Sequence, residues 1–131
     1  ILPRLKTDLV KIFNYSISNK LRNIKIKWTK KKCMTIVMCA KGYPGNYKKN
    51  LHIKNINKVK FSKEDYIYHA GTKIINNELR SSGGRVLNIT SLGNNFLKIR
   101  KNIIKNIRIL NWKKGFYRKD IGWRVINNEN N

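Results

Sequence analysis

The chain has 131 residues, of which 40% are hydrophobic and 10% aromatic, a composition that can bury a core and that argues against a disordered protein. Thirty basic residues against six acidic ones give a formal net charge of +24. No apolar run reaches the length of a membrane span, and no signal-peptide pattern opens the sequence. Because no methionine starts the chain, we expect it to be a piece of a longer protein.

The N-terminal part combines a helix with a basic connector. Apolar positions at three- and four-residue spacing predict an amphipathic helix over residues 4–18, with Pro3 at its start. Residues 19–32 show no clean period and include a basic run. We interpret them as a connector that contains at most one short strand, Ile24–Trp28.

The middle of the chain predicts strands joined by tight turns. A continuous apolar run of strand length, CMTIVMCA, predicts a buried strand. Asn76 and Asn77 predict a two-residue hairpin turn, because asparagine tolerates a positive φ. The predicted strands are Cys33–Ala40, Ile56–Phe61, Tyr66–Ala70, Thr72–Ile75, Glu78–Ser81 and Arg85–Thr90.

The C-terminal part returns to a helical period. One apolar stripe, Phe96, Ile99, Ile103, Ile107 and Leu110, predicts a helix over residues 94–111. A basic amphipathic helix can lie on a membrane, but a helix that packs on a core with its basic side in water is favoured here. A short strand is predicted within residues 121–126. The element order predicts an α+β fold with a mostly antiparallel sheet or small barrel.

The high positive charge has two interpretations. Phosphate attraction would make the chain a nucleic-acid-binding module. Alternatively, Lys, Asn and Ile together fill 60 positions, and these residue types share A/T-rich codons, so a bias in base composition would raise all three. Nucleic-acid binding gives no reason to enrich Ile and Asn, and the lysines are scattered along the chain. Compositional bias is therefore the preferred interpretation.

The stretch Gly42-Tyr43-Pro44-Gly45 matches the G-x-x-G loop with which KH domains hold a nucleic-acid backbone. In KH domains that loop joins two helices, whereas here it follows a predicted strand. Pro44 also removes one amide that such a loop could offer to a phosphate. We therefore predict an ordinary turn whose Lys41 and Gly42 lie at most on the rim of a pocket.

The sequence offers no complete active site. His52 and His69, the two histidines, lack metal-ligand spacing, and no pair of carboxylates is placed for acid–base chemistry. Cys33 and Cys39 fall on one predicted strand, roughly 20 Å apart at about 3.3 Å per residue, so they cannot form a disulfide with each other. We expect both thiols to be reduced and structural.

Three glycine-rich strand ends share a composition: KGYPG (41–45), HAGTK (69–73) and SSGGR (81–85). Each combines small residues with a cation or a hydroxyl group, which are the ingredients of an anion pocket built from backbone amides. Each one alone is equally well explained as a tight turn. Three in one small chain favour a shared site.

Five ordered segments carry a resemblance to a known family. Together they resemble the C-terminal end of the glycinamide ribonucleotide synthetases, ATP-grasp enzymes also called phosphoribosylamine–glycine ligases. The segments are LPRLKTDL (2–9), KGYPGNYKK (41–49), HAGTK (69–73), GGRVLNITSLG (83–93) and GFYRKDIGWR (115–124).

The resemblance implies a cytoplasmic ligase of de novo purine biosynthesis that joins glycine to 5-phosphoribosylamine and hydrolyses ATP to ADP and phosphate. It also implies that ATP and Mg²⁺ (or Mn²⁺) are bound mainly by ATP-grasp domains, whose acidic motif R-F-G-D-P-E lies just upstream of the segment matching Leu2–Leu9. The present chain would then carry no catalytic or metal-binding residue and would be inactive alone. Its partners would be the N-terminal and ATP-grasp domains and the small-molecule substrates, without a membrane or a specific nucleic acid.

The resemblance also divides the chain and suggests a site. Residues 1–22 would be the terminal helix of the ATP-grasp domain, and residues 23–131 the C-terminal domain, a β-rich unit similar to a barrel-sandwich. A planar guanidinium suits phosphate, so Arg85 leads the candidates that we expect to line the substrate cleft. The candidate substrate-binding residues are His69, Gly71, Thr72, Gly83, Gly84, Arg85, Lys41 and Gly42.

Overall fold

The computed structural model describes residues 1–130 and has an α+β fold with antiparallel sheets, which confirms the predicted class. Asn131, the last residue of the predicted C-terminal domain, lies outside the described residues. The helices are α1 (Leu9–Ile17), α2 (Phe96–Leu110) and α3 (Trp123–Asn130), and the strands are β1 (Lys32–Ala40), β2 (Asp65–His69), β3 (Thr72–Ile75), β4 (Glu78–Ser81), β5 (Arg85–Gly93) and β6 (Gly115–Phe116).

The main sheet has the strand order β2-β5-β1-β6, with every neighbouring pair antiparallel. The two longest strands, β1 and β5, form its centre, and their register is continuous until an irregularity between Met38 and Cys39. Strands β3 and β4 form a separate hairpin. Its turn residues, Asn76 and Asn77, have φ values of 48° and 59°, so the predicted asparagine turn is confirmed.

Helix α2 covers one face of the main sheet and closes the core. Its stripe residues Ile103 and Leu110 are fully buried, and burial of each such side chain contributes roughly 1.5–3 kcal/mol. The side chain of Asn95 caps the start of the helix by accepting a hydrogen bond from the amide of Lys98 (2.9 Å). Asn111 ends the helix with a left-handed conformation.

Two predicted strands are wrong. The segment Ile56–Phe61 contains the short 3-10 turn Ile56–Lys58 instead of a strand, and this turn directs Val59 into the core. The predicted strand within residues 121–126 is the beginning of α3, in which Ile126 is buried. In both places, the apolar residues contact the core from one side of a turn or helix, so no pairing with a neighbouring strand is needed to bury them.

The N-terminal part is helical over a shorter range than predicted. Leu2–Arg4 form a separate 3-10 turn, and α1 begins only after Asp8, whose carboxylate accepts a hydrogen bond from the amide of Lys11 (2.7 Å). The optional strand Ile24–Trp28 is absent from the described residues, and only Trp28 forms a bridge, with Leu5.

Helix α1 leaves its apolar side uncovered. Val10, Phe13 and Ile17 have 63%, 55% and 82% of their surface exposed, and α1 contains no buried residue. The amphipathic pattern is therefore real, but the described residues do not cover it. No helix within residues 1–130 is long and apolar enough to cross a lipid bilayer.

Candidate functional site

The antiparallel topology brings the three glycine-rich turns to one edge of the main sheet. Strands β1 and β2 end at this edge, and β5 begins there, because Cys39 pairs with Arg85 and His69 pairs with Leu87. The turns therefore meet even though the first and the last of them, residues 40–43 and 83–85, are at least 40 positions apart in the sequence. We call this place the glycine edge, defined by residues 40–43, 69–72 and 83–85.

Two of the turns are in direct backbone contact. The amide of Gly71 donates to the carbonyl oxygen of Arg85 (2.8 Å), and the carbonyl of Gly71 accepts from Ser82 (2.7 Å) and from Gly83 (3.3 Å). A Cβ atom on Gly71 would lie 2.6 Å from the Cα atom of Gly83 and 2.7 Å from the carbonyl oxygen of Arg85. Only glycine allows the chains to approach this closely.

The third turn closes β1 and covers Gly84. The amide of Ala40 donates to the carbonyl oxygen of Gly84 (2.8 Å), and the ring of Tyr43 lies where a Cβ atom on Gly84 would be. Gly42 has a φ of +99°, a left-handed value that disfavours other residues. The loop directly follows β1, so the predicted turn is confirmed and the KH-type arrangement of a loop between two helices is absent.

The side chains at the glycine edge are mostly exposed. His69 and Thr72 interact through Nδ1 and Oγ1 at 3.0 Å. Arg85 is exposed and takes part in no ion pair within residues 1–130. Burial raises the pKa of the neighbouring Cys39 thiol, while the positive charge of Arg85 acts in the opposite direction. Arg85 is therefore free to bind an anion, and Cys39 remains protonated at neutral pH.

A cavity of about 600 Å³ lies beside the turn that contains Lys41. Lys48 and Lys114 also line it, together with Tyr47 and Leu51. The amide of Lys41 donates to the carbonyl oxygen of Lys114 (3.0 Å), which fixes the two segments together. Lys48 and Lys114 could not be predicted as site candidates from the sequence, since lysine is too common in this chain for its position to be informative.

Within residues 1–130, no carboxylate is available for Mg²⁺. The described residues contain no cluster of three or more metal-binding side chains, and each of the six acidic residues already has a structural partner. Oxygen ligands from carboxylates dominate protein Mg²⁺ sites, so residues 1–130 do not fit this metal. The pairs are Asp8 with the Lys11 amide, Glu64 with Lys31, Asp65 with Ser62, Ser91 and Asn102, Glu78 with Arg80, Asp120 with Arg118, and Glu129 with Lys32 and the Phe96 amide.

Comparison with proteins of known sequence identifies relatives over almost the whole chain. A phosphoribosylamine–glycine ligase of Caldanaerobacter subterraneus subsp. tengcongensis is 39% identical over 121 residues, which are 92% of this chain and 28% of the relative. The ligase of Brucella melitensis is 33% identical over 98% of this chain and 30% of its own length. A bifunctional purine biosynthetic protein of Dictyostelium discoideum is 36% identical over 97% of this chain and 16% of its own length. The chain thus spans less than a third of these relatives.

The fold is also found in a solved structure. The crystal structure of the phosphoribosylamine–glycine ligase of Thermotoga maritima matches 82% of this chain and 27% of that protein, with a TM-score of 0.62 and 23% sequence identity. A family model described as "Phosphoribosylglycinamide synthetase, C domain" matches residues 33–124. The resemblance inferred from the five sequence segments is confirmed. The chain belongs to the phosphoribosylglycinamide synthetase family, of which it carries the C domain.

Proposed function

We propose that this chain acts as the C-terminal domain of a cytoplasmic phosphoribosylamine–glycine ligase and forms one wall of its substrate cleft. The full reaction joins glycine to 5-phosphoribosylamine at the expense of ATP. The meeting of three glycine-rich turns at one sheet edge, beside a cavity lined by lysines, is the observation that supports this role. Amides of the turns, such as those of Lys41, Gly71 and Gly83, already donate hydrogen bonds within the fold, so the exposed cations beside them would provide the attraction for an anionic substrate.

The proposed contribution of the glycine edge is binding and orientation. Arg85 would hold the phosphate of phosphoribosylamine through paired hydrogen bonds, and His69 and Thr72 would offer polar contacts to the same molecule. Lys41, Gly42, Gly71, Gly83 and Gly84 would shape the wall through their backbone. ATP and its metal ion would be bound outside this chain, because residues 1–130 lack suitable carboxylates.

The uncovered side of α1 is the proposed contact with the ATP-grasp domain. Val10, Phe13 and Ile17 form an apolar surface whose exposure to water is unfavourable. More than two thirds of each of the Caldanaerobacter and Brucella relatives lies outside the part that matches this chain, and it contains the sequence that could cover this surface. Residues 1–22 would then complete the ATP-grasp domain, and the domain that begins near residue 23 would be joined to it. The family match to residues 33–124 is compatible with this boundary.

A chimeric enzyme tests the proposal. The C-terminal part of the Caldanaerobacter ligase is replaced by this chain, and formation of glycinamide ribonucleotide is measured. We expect activity well above that of the same ligase without its C-terminal part. A folded chimera whose activity does not exceed that of the truncated ligase would contradict the proposed function.

The role of Arg85 is tested in the same chimera. Loss of a hydrogen bond to a charged group costs about 1.5–3 kcal/mol, so Arg85→Ala should raise the KM for phosphoribosylamine roughly tenfold to a hundredfold. The KM for glycine should stay within about twofold. Arg108→Ala is the matched control, since Arg108 is also exposed but lies on α2, outside the glycine edge. Equal kinetics of the two variants would remove Arg85 from the site.

A further inference from the structure

A second polar pocket lies at the opposite end of β2 from the glycine edge. Its volume is about 370 Å³, and it is lined by residues of α2 and of the loop that precedes β2. Asp65 begins β2 on the pocket side, and His69 ends the strand on the side of the glycine edge. Four residue steps of about 3.3 Å separate these positions, so the pocket is distinct from the proposed substrate wall.

The pocket contains a buried amide without a partner. Asn106 lines it from α2 and is only 4% exposed. Its Nδ2 atom has no hydrogen-bond partner within the described residues 1–130. An unpaired buried donor costs about 1–3 kcal/mol, so such a group usually has a functional or structural reason. Since an NH₂ group only donates, its missing partner must be an acceptor.

Three lysines line the same pocket: Lys58 and Lys60 from the loop, and Lys105 from α2. None of them takes part in an ion pair within residues 1–130. A carboxylate does lie in the pocket wall, that of Asp65, so the four charges sum to a net charge of +2.

The Asp65 carboxylate is already occupied by hydrogen bonds. One oxygen accepts from Ser91 Oγ (2.5 Å) and from Asn102 Nδ2 (2.7 Å), and the other accepts from the hydroxyl (2.8 Å) and the amide (3.1 Å) of Ser62. These four bonds hold the carboxylate against the sheet and use its acceptor positions. The lysines and the Asn106 amide therefore remain as donors without an acceptor.

We propose that this pocket binds the phosphate group of a small phosphorylated molecule. A phosphate dianion offers acceptor oxygens in several directions, which matches three ammonium groups and one buried amide. The volume lies near the lower end of the range for small-molecule pockets and suits a compact ligand better than a nucleic-acid duplex. This inference does not depend on the ligase reaction.

Titration of the whole chain with inorganic phosphate tests the inference, at constant ionic strength maintained with sodium chloride. The side-chain amide of Asn106 is followed by nuclear magnetic resonance, and heat is measured by calorimetry. We expect one saturable site with a shift of the Asn106 signal. Lys105→Gln should weaken binding roughly tenfold, as expected for a lost hydrogen bond to a charged group. Lys101→Gln makes the same charge change at an exposed position of α2 outside the pocket, and it should change the affinity for phosphate by less than about twofold.

Asn106→Leu distinguishes a binding role from a structural one. Leucine keeps the branching and the number of side-chain heavy atoms and removes the unpaired amide, so the melting temperature should stay equal or rise while phosphate binding is lost. Retained phosphate binding in Asn106→Leu would overturn the proposal. So would equal weakening by Lys101→Gln and Lys105→Gln, because that result describes the attraction of any polycation for phosphate.

Discussion

The close contact between Gly71 and Gly83 predicts that one methyl group added at Gly71 strongly lowers the free energy of unfolding. In Gly71→Ala, the new Cβ atom would lie 2.6 Å from the Cα atom and 2.7 Å from the amide nitrogen of Gly83. All of its closest neighbours are backbone atoms, so no side chain can rotate away. The two turns must separate by roughly 0.9 Å to reach the optimal distance of about 3.5 Å between carbon atoms.

Separation of the turns also weakens the hydrogen bonds that join them. The bonds from Ser82 to Gly71 (2.7 Å) and from Gly71 to Arg85 (2.8 Å) would lengthen together. Overpacking typically costs about 1–3 kcal/mol, and each weakened bond adds up to about 1 kcal/mol. We therefore expect Gly71→Ala to lower the free energy of unfolding by about 2–4 kcal/mol, which is about 6–15 °C in Tm for a domain of this size.

Thermal and urea unfolding followed by circular dichroism measure this change. Gly45→Ala is the matched control, because its Cβ atom would approach only one backbone oxygen, at 3.3 Å, and its φ is not left-handed. The control should change the free energy of unfolding by less than about 1 kcal/mol. Equal stability of Gly71→Ala and wild type would refute the close approach of the two turns, and with it the geometry of the glycine edge.

Three further predictions concern charge, reactivity and docking. The hydrogen bond from Lys32 holds the pKa of Glu129 below its usual range. The contribution of this pair to stability is therefore present above the ordinary glutamate pKa and is lost as the pH falls through the lowered value. Tm should fall more between pH 6 and pH 3 in wild type than in Glu129→Gln, and parallel profiles of the two proteins would contradict this. The charge of Arg85 lowers the pKa of the Cys39 thiol, which burial raises, so Arg85→Ala should raise this pKa further and leave less thiolate. In a Cys33→Ser background, Arg85→Ala should therefore slow the reaction of Cys39 with a disulfide reagent at pH 8. Phe13→Ser should leave the free energy of unfolding within about 0.5 kcal/mol but weaken activity of the chimera, and a strongly destabilised variant would show that α1 is already packed.

The sequence predicts those parts of the fold whose signals are local. The apolar run of β1, the paired asparagines between β3 and β4 and the apolar stripe of α2 each identify an element without reference to the rest of the chain. The antiparallel pairing of β5 with β1 leaves no such local signal, because 44 residues separate the two strands and the handedness rule concerns parallel crossovers only. The shared site expected for the three glycine turns therefore rested on their composition alone, and their roles in substrate binding stay a prediction.

The remaining parts depend on tertiary contacts that leave no local signal. Val59 is buried from a single 3-10 turn, a pattern that in the sequence resembles a short strand. Lys114 contributes to the cavity only because its carbonyl oxygen binds the amide of Lys41, more than 70 positions earlier. The unpaired amide of Asn106 is equally invisible in the sequence, although the residue lies three positions after Ile103, beside the apolar stripe of α2, and is buried.

The positions of the charged residues show which charges the folded structure uses and which are in excess. Twenty of the 22 lysines are exposed, and the two that are half-buried, Lys31 and Lys32, are the ones paired with Glu64 and Glu129. The acidic residues are all engaged in caps, ion pairs or the network around Asp65, whereas most lysines have no carboxylate partner within the described residues. Such a pattern is expected when a composition bias fills solvent-exposed positions and the folded structure requires only a few specific charges. The charge of +24 by itself therefore does not identify a ligand, and any binding measurement on this chain depends on a matched lysine substitution outside the site, as Lys101→Gln provides for Lys105→Gln.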